Sequence, residues 1–517
     1  MNGNILEQVD YVNIQYVSIV NIEEVAMKIL LVYPEFPDTF WSFRHALKFV
    51  GKKASMPPTG LLTVASMLPA AWEKKLLDLN VDKLDRESLD WADVIMISAM
   101  NAQLESVEEI IKRSKGCSAK IVAGGPLFSG TVELWTNRID CIVSGEAEGL
   151  MPRLVRDLIS GETKSVYKAD AFPELSNTPP ADWSLANLKK YETVGIQFSR
   201  GCPHHCDFCN ITALFGKRVR IKSTTQILQE LNELYNHGWR GGVFFVDDNF
   251  IGNKAYLKSS LLPELAEWRM ERSAISFQTE TSILIADDTE LLEMMTSAGF
   301  VTVFVGIESP DEASLNECGK TQNTRRDLLE DIRRIQNAGI QVQAGFIVGF
   351  DNDDPSIFRK QRDFIHKSGI VTAMIAMLQA PEGTILFDKM KAAGRITGLM
   401  SDGTDGNTNI IPAMGLEALK AGHRWLVNSL YSPVEYYDRV RRFLTEYRPV
   451  SKIRQIVSMR HLMAVFRSVV EQGVLGKERL EYWKLFFWTC SKRPSLLPLA
   501  LRLAIYGHHC SKITERL

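Results

Sequence analysis

The chain has 517 residues, 45% apolar and 24% charged, which is the balance of a globular protein with sizeable cores and length enough for two or three domains. A net charge of −2 excludes a uniformly basic nucleic-acid coat, and no run reaches the roughly 18 consecutive apolar residues of a spanning helix. Eight cysteines, three of them clustered, do not make a disulfide framework; a reducing cytosol, with the cluster as a ligand site, is the expected setting.

Residues 1–26 lack the basic start and apolar centre of a secretion signal and read as an extra N-terminal arm ahead of Met27. Short apolar runs follow at Ile29–Tyr33, Val94–Ser98, Ile121–Ala123 and Cys141–Val143. Helical stretches at Leu61–Leu68 and Gln103–Lys115 separate them. This alternation predicts an α/β domain over 27–165, a parallel doubly wound sheet covered on both faces. Such sheets take ligands beyond the carboxyl ends of their strands. Those ends carry Pro34, Ser98 to Met100, Gly124-Gly125-Pro126 and Gly145-Glu146-Ala147-Glu148-Gly149. Glycines there let a large flat ligand come close to the backbone, although tight turns would account for them equally.

A linker is expected over 166–190, Pro-rich from Phe172 to Trp183. Six strands then alternate with helices over 191–412: Gly195–Ser199, Val243–Asp247, Ile275–Thr279, Val301–Gly306, Val342–Val348 and Val371–Leu378. Ser223 and Gln226 fit a capping box at the first of these helices. Six units are too few for an eight-stranded barrel, so a partial (β/α)6 barrel is expected, active at the carboxyl ends of its strands. Residues 413–517 read as helical, with Leu416, Leu419, His423, Leu426 and Leu430 at helical spacing. From Arg439 to Leu517 there are 16 Lys and Arg against 5 Glu and no Asp. Together with Trp483, Phe486, Phe487 and Trp488, this reads as a helical cap with a solvated basic face. The alternative is a peripheral contact with an anionic membrane.

The chemistry concentrates in Ser199-Arg200-Gly201-Cys202-Pro203-His204-His205-Cys206-Asp207-Phe208-Cys209, a C-x3-C-x2-C run at the end of the first barrel strand. A structural zinc wants four closed ligands, and no second cysteine pair follows at zinc-ribbon spacing, leaving only His204 or His205 to complete a set. Three thiolates suit a four-iron cluster whose fourth iron is open to a non-protein ligand.

With Phe208 as its aromatic, this run resembles the C-x3-C-x-aromatic-C signature of the radical S-adenosylmethionine enzymes. The resemblance implies Cys202, Cys206 and Cys209 as cluster ligands and S-adenosylmethionine chelated on the open iron. One electron then cleaves the sulfonium to give a 5′-deoxyadenosyl radical. It places Asp247, Asp248 and Asn249 where the methionine ammonium is hydrogen-bonded, though an Asp-Asn turn would use them too. Glu280 and Glu308 fall where ribose hydroxyls or the amino group are met; salt bridges are their other reading. Gly345, Ile347 and Gly349 fall on the adenine-contacting fifth strand. Lys217, Arg218, Arg220 and Lys222 are read simply as a solvated face or anion contacts.

A doubly wound domain ahead of such a barrel resembles the cobalamin-binding subclass. The closer likeness is to B12-binding-domain proteins with a helical, DUF4070-type extension, a group that includes hopanoid C-2 methylases. It is carried by Tyr33–Pro37 with Trp41-Ser42-Phe43, Pro57 to Thr63, Phe244 to Asn253 and Ala344–Phe350. It implies cobalamin contacts at Ser98, Met100, Gly124, Gly125, Pro126, Gly145 and Glu146. The D-x-H-x-x-G motif is absent, so no histidine would ligate cobalt, and Asn210 stands where close relatives are expected to carry an acid. The implied reaction is methylation of an unactivated carbon of a lipid or natural product. The radical removes hydrogen, and the carbon radical takes a methyl group from methylcobalamin. A small-molecule or lipid substrate and an electron donor such as a flavodoxin or ferredoxin are the expected partners, with no nucleic acid. A non-methylating cyclisation or oxidation, or a redox-sensing binding protein, would use the same cofactors.

Overall fold

The computed structural model describes residues 25–401, 403–449 and 459–516, so all but the last two residues of the expected arm lie outside the described residues. Six parallel strands form the first sheet: β1 (Lys28–Tyr33), β2 (Glu73–Asp78), β3 (Val94–Ser98), β4 (Lys120–Gly124), β5 (Cys141–Ser144) and β6 (Val166–Lys168). Their order is β2-β1-β3-β4-β5-β6. The order reverses at β1, so the ends of β1 and β3 flank the crevice where such sheets take ligands. Alternate residues bury on opposite faces. Ile29 and Leu31 join Leu61, Trp72 and Met96, while Leu30 and Val32 join Ile95, Ile97, Phe128 and Trp135.

Two of these strands escape the apolar pattern. β2 reads Glu-Lys-Lys-Leu-Leu-Asp and β6 reads Val-Tyr-Lys. Both are edge strands, only partly buried, where charge discourages pairing with another chain. β6 lies within the stretch expected to be linker, so the sheet extends further than its apolar runs suggest.

The second sheet begins with β7 (Thr193–Ile196). A short antiparallel hairpin, β8 (Ser199–Arg200) with β9 (Arg220–Ile221), brackets the cysteine run. Then come β10 (Gly242–Phe245), β11 (Ser276–Thr281), β12 (Phe300–Glu308), β13 (Gln341–Val348) and β14 (Ala373–Met377), all parallel, in the order β14-β13-β12-β11-β10-β7. The capping box forms as expected, with Ser223 at the start of helix Thr224–Asn236.

An open barrel leaves two edges to cover. Helix Leu416–Leu430 packs beside β14, where the buried His423 meets the Ile375 carbonyl at 3.1 Å. Along β7 the cover comes from the N-terminal domain. Thr193 N donates to Ser55 O at 2.9 Å, and Thr59 Oγ1 donates to Gly195 O at 3.1 Å. The C-terminal helices share one continuous core with the barrel. Buried Arg439 donates to the Leu430 and Val371 carbonyls at 3.0 and 3.2 Å, and Tyr436 donates to Leu503 O. Among the described residues no helix is long and apolar enough to cross a membrane.

Candidate functional site

The cysteine run leaves β8 through Gly201, whose φ of +92° suits glycine and where a Cβ would overlap the Arg218 carbonyl. Cys202 N donates to Gly216 O at 3.3 Å, and Asp207 N donates to Cys318 O at 2.9 Å, so the loop is held at both ends. Close by, a Cβ on Gly319 would lie 2.7 Å from His205 O. A cavity of about 310 Å3 opens against Asp207, Phe208, Cys318 and Phe350.

The three thiols are unpaired and partly buried. Burial raises the pKa of Cys202 and Cys206 and pushes Cys209 up to about 12, so without a metal they are neutral. A bound cluster would hold them as thiolates. Cys206 lies near enough to Cys202 and Cys209 to raise the pKa of each, while among the described residues no three His, Cys, Asp or Glu are placed as the ligands of a single ion. A four-iron cluster takes its thiolates at separate corners, and this donor set, sulfur only, fits it.

Two residues that the sequence did not single out complete the surroundings. Gln322 Nε2 donates to Cys206 Sγ at 3.6 Å. Lys320 Nζ pairs with Glu308 at 2.7 Å. Burial works against its charge, yet the Glu308 carboxylate and, once ionised, the thiolates of Cys206 and Cys209 hold its pKa above the ordinary value. Gly306 makes room for this pair, since a Cβ there would overlap Glu308 Oε1 and lie 2.7 Å from Lys320 Nζ. Glu308 itself sits at φ +63°, a strained backbone for a glutamate, held here by its pairing with Lys320.

The expected contacts for S-adenosylmethionine separate into two groups. Asp247 accepts from Phe198 N at 3.0 Å and from the backbone and hydroxyl of Ser199, so it anchors the chain entering the cysteine run. Asn249 accepts from Ser282 N at 3.1 Å, and Glu308 is committed to Lys320. Asp248 and Glu280 are the carboxylates left over. Asp248 Oδ2 is buried without a hydrogen-bond partner, and burial pushes its pKa up to about 6. Glu280 keeps some accessible surface yet sits deep in the barrel end. Burial, then the charges of Asp248 and Asp247, push it up to about 8. Three carboxyls facing one another, with an orphaned oxygen among them, fit a cationic ligand.

On β13 the space over Gly345 is occupied by Phe304 and Met374, at 3.1 and 3.5 Å from a built Cβ. The missing side chain there admits the barrel's own aromatic ring. Gly349, at φ +105°, turns the chain so that its N–H meets Asp353 at 2.9 Å. Ile347 and Phe208 share an apolar cluster with Phe350 and Cys318.

The expected cobalamin contacts gather at the carboxyl edge of the first sheet. Gly125, at φ +92°, packs against Ala99 O and Ser98 Oγ, 2.9 and 3.0 Å from a built Cβ, and Pro126 opens helix Pro126–Gly130. Gly145, at φ +100°, has only the Ala169 Cβ nearby, 3.9 Å from a built Cβ, and Met100 is half exposed. The small residues along this edge suit the close approach of a flat cofactor. Glu146 faces the barrel instead, because a carboxylate this buried needs cations, and it finds them in Arg200 and Arg220. Arg220 is therefore not part of a solvated face. Neither is Lys222, which is buried against Glu230.

Three family models match the chain: "B12 binding domain" at 52–155, "Radical SAM superfamily" at 196–365 and "Domain of unknown function (DUF4070)" at 384–517. An uncharacterized methyltransferase of Synechocystis sp., sll1242, is 37% identical over 95% of this chain and 92% of its own. The hopanoid C-2 methylase of Rhodopseudomonas palustris is 32% identical over 89% of each. Among solved structures, the cobalamin-dependent S-adenosylmethionine radical enzyme OxsB, with aqua-cobalamin and S-adenosylmethionine bound, aligns at TM-score 0.62 and 14% identity. That alignment covers 96% of this chain and 80% of that one. The radical S-adenosylmethionine methyltransferase TsrM of Kitasatospora setae aligns at TM-score 0.56 and 17% identity over 71% and 75%. At these identities the structures establish the fold.

Proposed function

Because this chain belongs to the B12-binding-domain radical S-adenosylmethionine family that includes hopanoid C-2 methylase, we propose that it methylates an unactivated carbon of an apolar lipid. Its cofactors are a four-iron cluster, S-adenosylmethionine and cobalamin. The observation that carries the reading is that Cys202 and Cys209 lie within electrostatic reach of Cys206 and Asp248, beside the hairpin whose Arg200 is tied to Glu146 at the carboxyl edge of the B12-type sheet. When bound, the cofactors would supply a 5′-deoxyadenosyl radical that removes hydrogen and, through cobalamin recharged by a second S-adenosylmethionine, the methyl group that replaces it. Cys202, Cys206 and Cys209 hold the cluster. Asp248 and Glu280 attract the cationic methionine portion, and the packed domains exclude water and orient the reactants. The electron comes from a small donor such as a flavodoxin or ferredoxin.

The test is anaerobic reconstitution with iron, sulfide and cobalamin, followed by incubation with a chemical reductant such as dithionite or a reduced flavodoxin, methyl-labelled S-adenosylmethionine and a bacterial lipid extract. One labelled methyl group in a lipid is the expected result. Formation of 5′-deoxyadenosine with label never entering any substrate favours a non-methylating reaction. That outcome has a precedent among the relatives, since an anaerobic magnesium-protoporphyrin IX monomethyl ester cyclase of Cereibacter sphaeroides is 27% identical over 58% of this chain and 54% of its own.

A lipid substrate also suits the C-terminal helices. On helix Met459–Ser468, Met459, Leu462, Met463 and Phe466 recur on one face and are exposed, Phe466 by 62%. On helix Arg479–Lys492, Leu480 and Phe487 are exposed with Lys484 between them. Apolar anchors in a strongly basic region match the surface of an anionic bilayer. Cosedimentation with phosphatidylglycerol vesicles and not with phosphatidylcholine vesicles is expected, and Leu462→Glu with Phe466→Glu weakens it more than about tenfold. Equal behaviour of the variant and the unaltered chain would remove the bilayer from this reading.

A further inference from the structure

The buried ion network between the two sheets has a geometry that packing alone does not require. Glu146 follows the turn that ends β5, and its side chain is 2% exposed. Arg220 grips it with both terminal nitrogens, at 2.9 and 2.5 Å, and Arg200 adds a third contact at 2.6 Å. The other terminal nitrogen of Arg200 reaches Glu148 at 2.7 Å, and Thr178 Oγ1 holds Glu148 in place at 3.0 Å. Arg200 Nε donates to Gln197 at 2.7 Å, while Arg220 donates to the Pro173 and Phe215 carbonyls at 2.6 and 2.9 Å.

The two arginines are paired residues of the β8–β9 hairpin, and the cysteine run hangs between them. Arg200 directly precedes Gly201-Cys202, and Arg220 follows the return of the same loop. Two adjacent guanidinium groups repel unless carboxylates sit between them, and here the carboxylates come from the B12-type domain. Burying such a network is costly, and apolar residues of similar volume would hold two domains together at least as well. What a bidentate, fully directional ion pair adds is register, because it is satisfied in one arrangement only.

We propose that Glu146, with Arg200, Arg220 and Glu148, forms a register pin that fixes the cobalamin edge of the first sheet relative to the cluster loop. Glu146 is a positioning residue in this account, acting through the two arginines that flank the loop. The inference rests on the reaction proposed above, since only a transfer between groups carried by two domains needs such alignment. When register is lost, the adenosyl radical takes its hydrogen atom from the supplied reductant or buffer. The turnover then yields methionine and 5′-deoxyadenosine without methylated product.

Glu146→Gln keeps the shape and removes the charge, whereas Arg220→Lys keeps the charge and removes the fork. Both are compared, as reconstituted full-length protein, for 5′-deoxyadenosine formed per methyl group transferred. Cleavage of S-adenosylmethionine is expected to stay within about twofold of the unaltered enzyme, while the ratio rises about tenfold or more, the scale set by small misplacements of reacting groups. Arg220→Lys gives a smaller rise and carries the test if Glu146→Gln fails to fold. A ratio unchanged in the folded variants, with both activities falling together, overturns the proposal and leaves the network as domain glue. Hydrogen exchange on the cofactor-free protein gives a second readout. Amides at 199–202 and 216–222 should exchange several-fold faster in both variants, and unchanged exchange overturns the pin. If the unaltered enzyme methylates nothing, the proposed reaction fails, and the exchange measurement still decides whether the network holds the loop.

Discussion

Cys206→Ala, reconstituted anaerobically beside the unaltered chain, is expected to hold less than about 1 iron where the unaltered chain holds roughly 4. Formation of 5′-deoxyadenosine should fall by at least about 10³-fold, because groups that act as one unit are lost together. A cluster with one open iron needs its other three corners held, and two thiolates leave a second corner to water. The substitution also strands the Gln322 amide, which now donates to Cys206 Sγ at 3.6 Å. Cys318→Ala is the control. Cys318 is buried beside the same loop, and its backbone carbonyl accepts from Asp207 N. Its thiol lies 3.5 Å from the Leu315 carbonyl and is placed outside the ligand set. Full iron content in Cys318→Ala and loss in Cys206→Ala is the expected pair of results. Loss in both, or in neither, would mean that the ligand trio is wrongly assigned.

Glu280→Gln should change two properties in opposite directions. In the cofactor-free protein the Glu280 carboxyl binds its proton more tightly folded than unfolded, its pKa raised from 4.5 to about 8 by burial and then by Asp248 and Asp247. Its contribution to stability therefore declines as pH rises through that window, since the unfolded chain releases the proton first. Removing the carboxyl removes the decline. The variant should match the unaltered protein near pH 4 and exceed it at pH 8 by on the order of 2 kcal/mol, read from urea midpoints at the two pH values. Binding of S-adenosylmethionine to the reconstituted enzyme should respond the other way. The cationic ligand prefers the ionised carboxylates, so affinity in the unaltered enzyme should climb between about pH 6 and 8, as Asp248 and then Glu280 lose their protons. Glu280→Gln should bind about tenfold or more weakly at pH 8, with a flatter profile. Equal affinity and an equal profile in the variant would place the cation elsewhere. A site that destabilises its own empty state in order to hold a cation is a familiar compromise between stability and activity.

Much of this architecture was written locally. β3, with the sequence Val-Ile-Met-Ile-Ser, is apolar along its length because a central parallel strand is covered on both faces, and its bounds agree with the apolar run. The cysteine spacing, the capping box at Ser223 and the leucine period of helix Leu416–Leu430 depend only on neighbours a few residues away. The edge strands β2 and β6 were not legible, since a strand with one neighbour and a wet face does not carry the apolar signature.

For the candidate site the division is sharper. Spacing alone nominated Cys202, Cys206 and Cys209 and placed acidic residues at the strand ends. It could not say which carboxylates were spoken for. Asp247 is taken up by Ser199, 48 residues earlier, and Glu146 by Arg200 and Arg220, 54 and 74 residues later. Lys320 comes near the thiols only because the segment after helix Glu312–Glu317 lies against the cysteine run, where Asp207 N donates to Cys318 O. Covalent spacing and hydropathy period determine which elements form and which ligand types they carry. Charge compensation inside a protein is settled by whichever groups the packed chain brings within a few ångströms, and that distance exists only once the tertiary structure does.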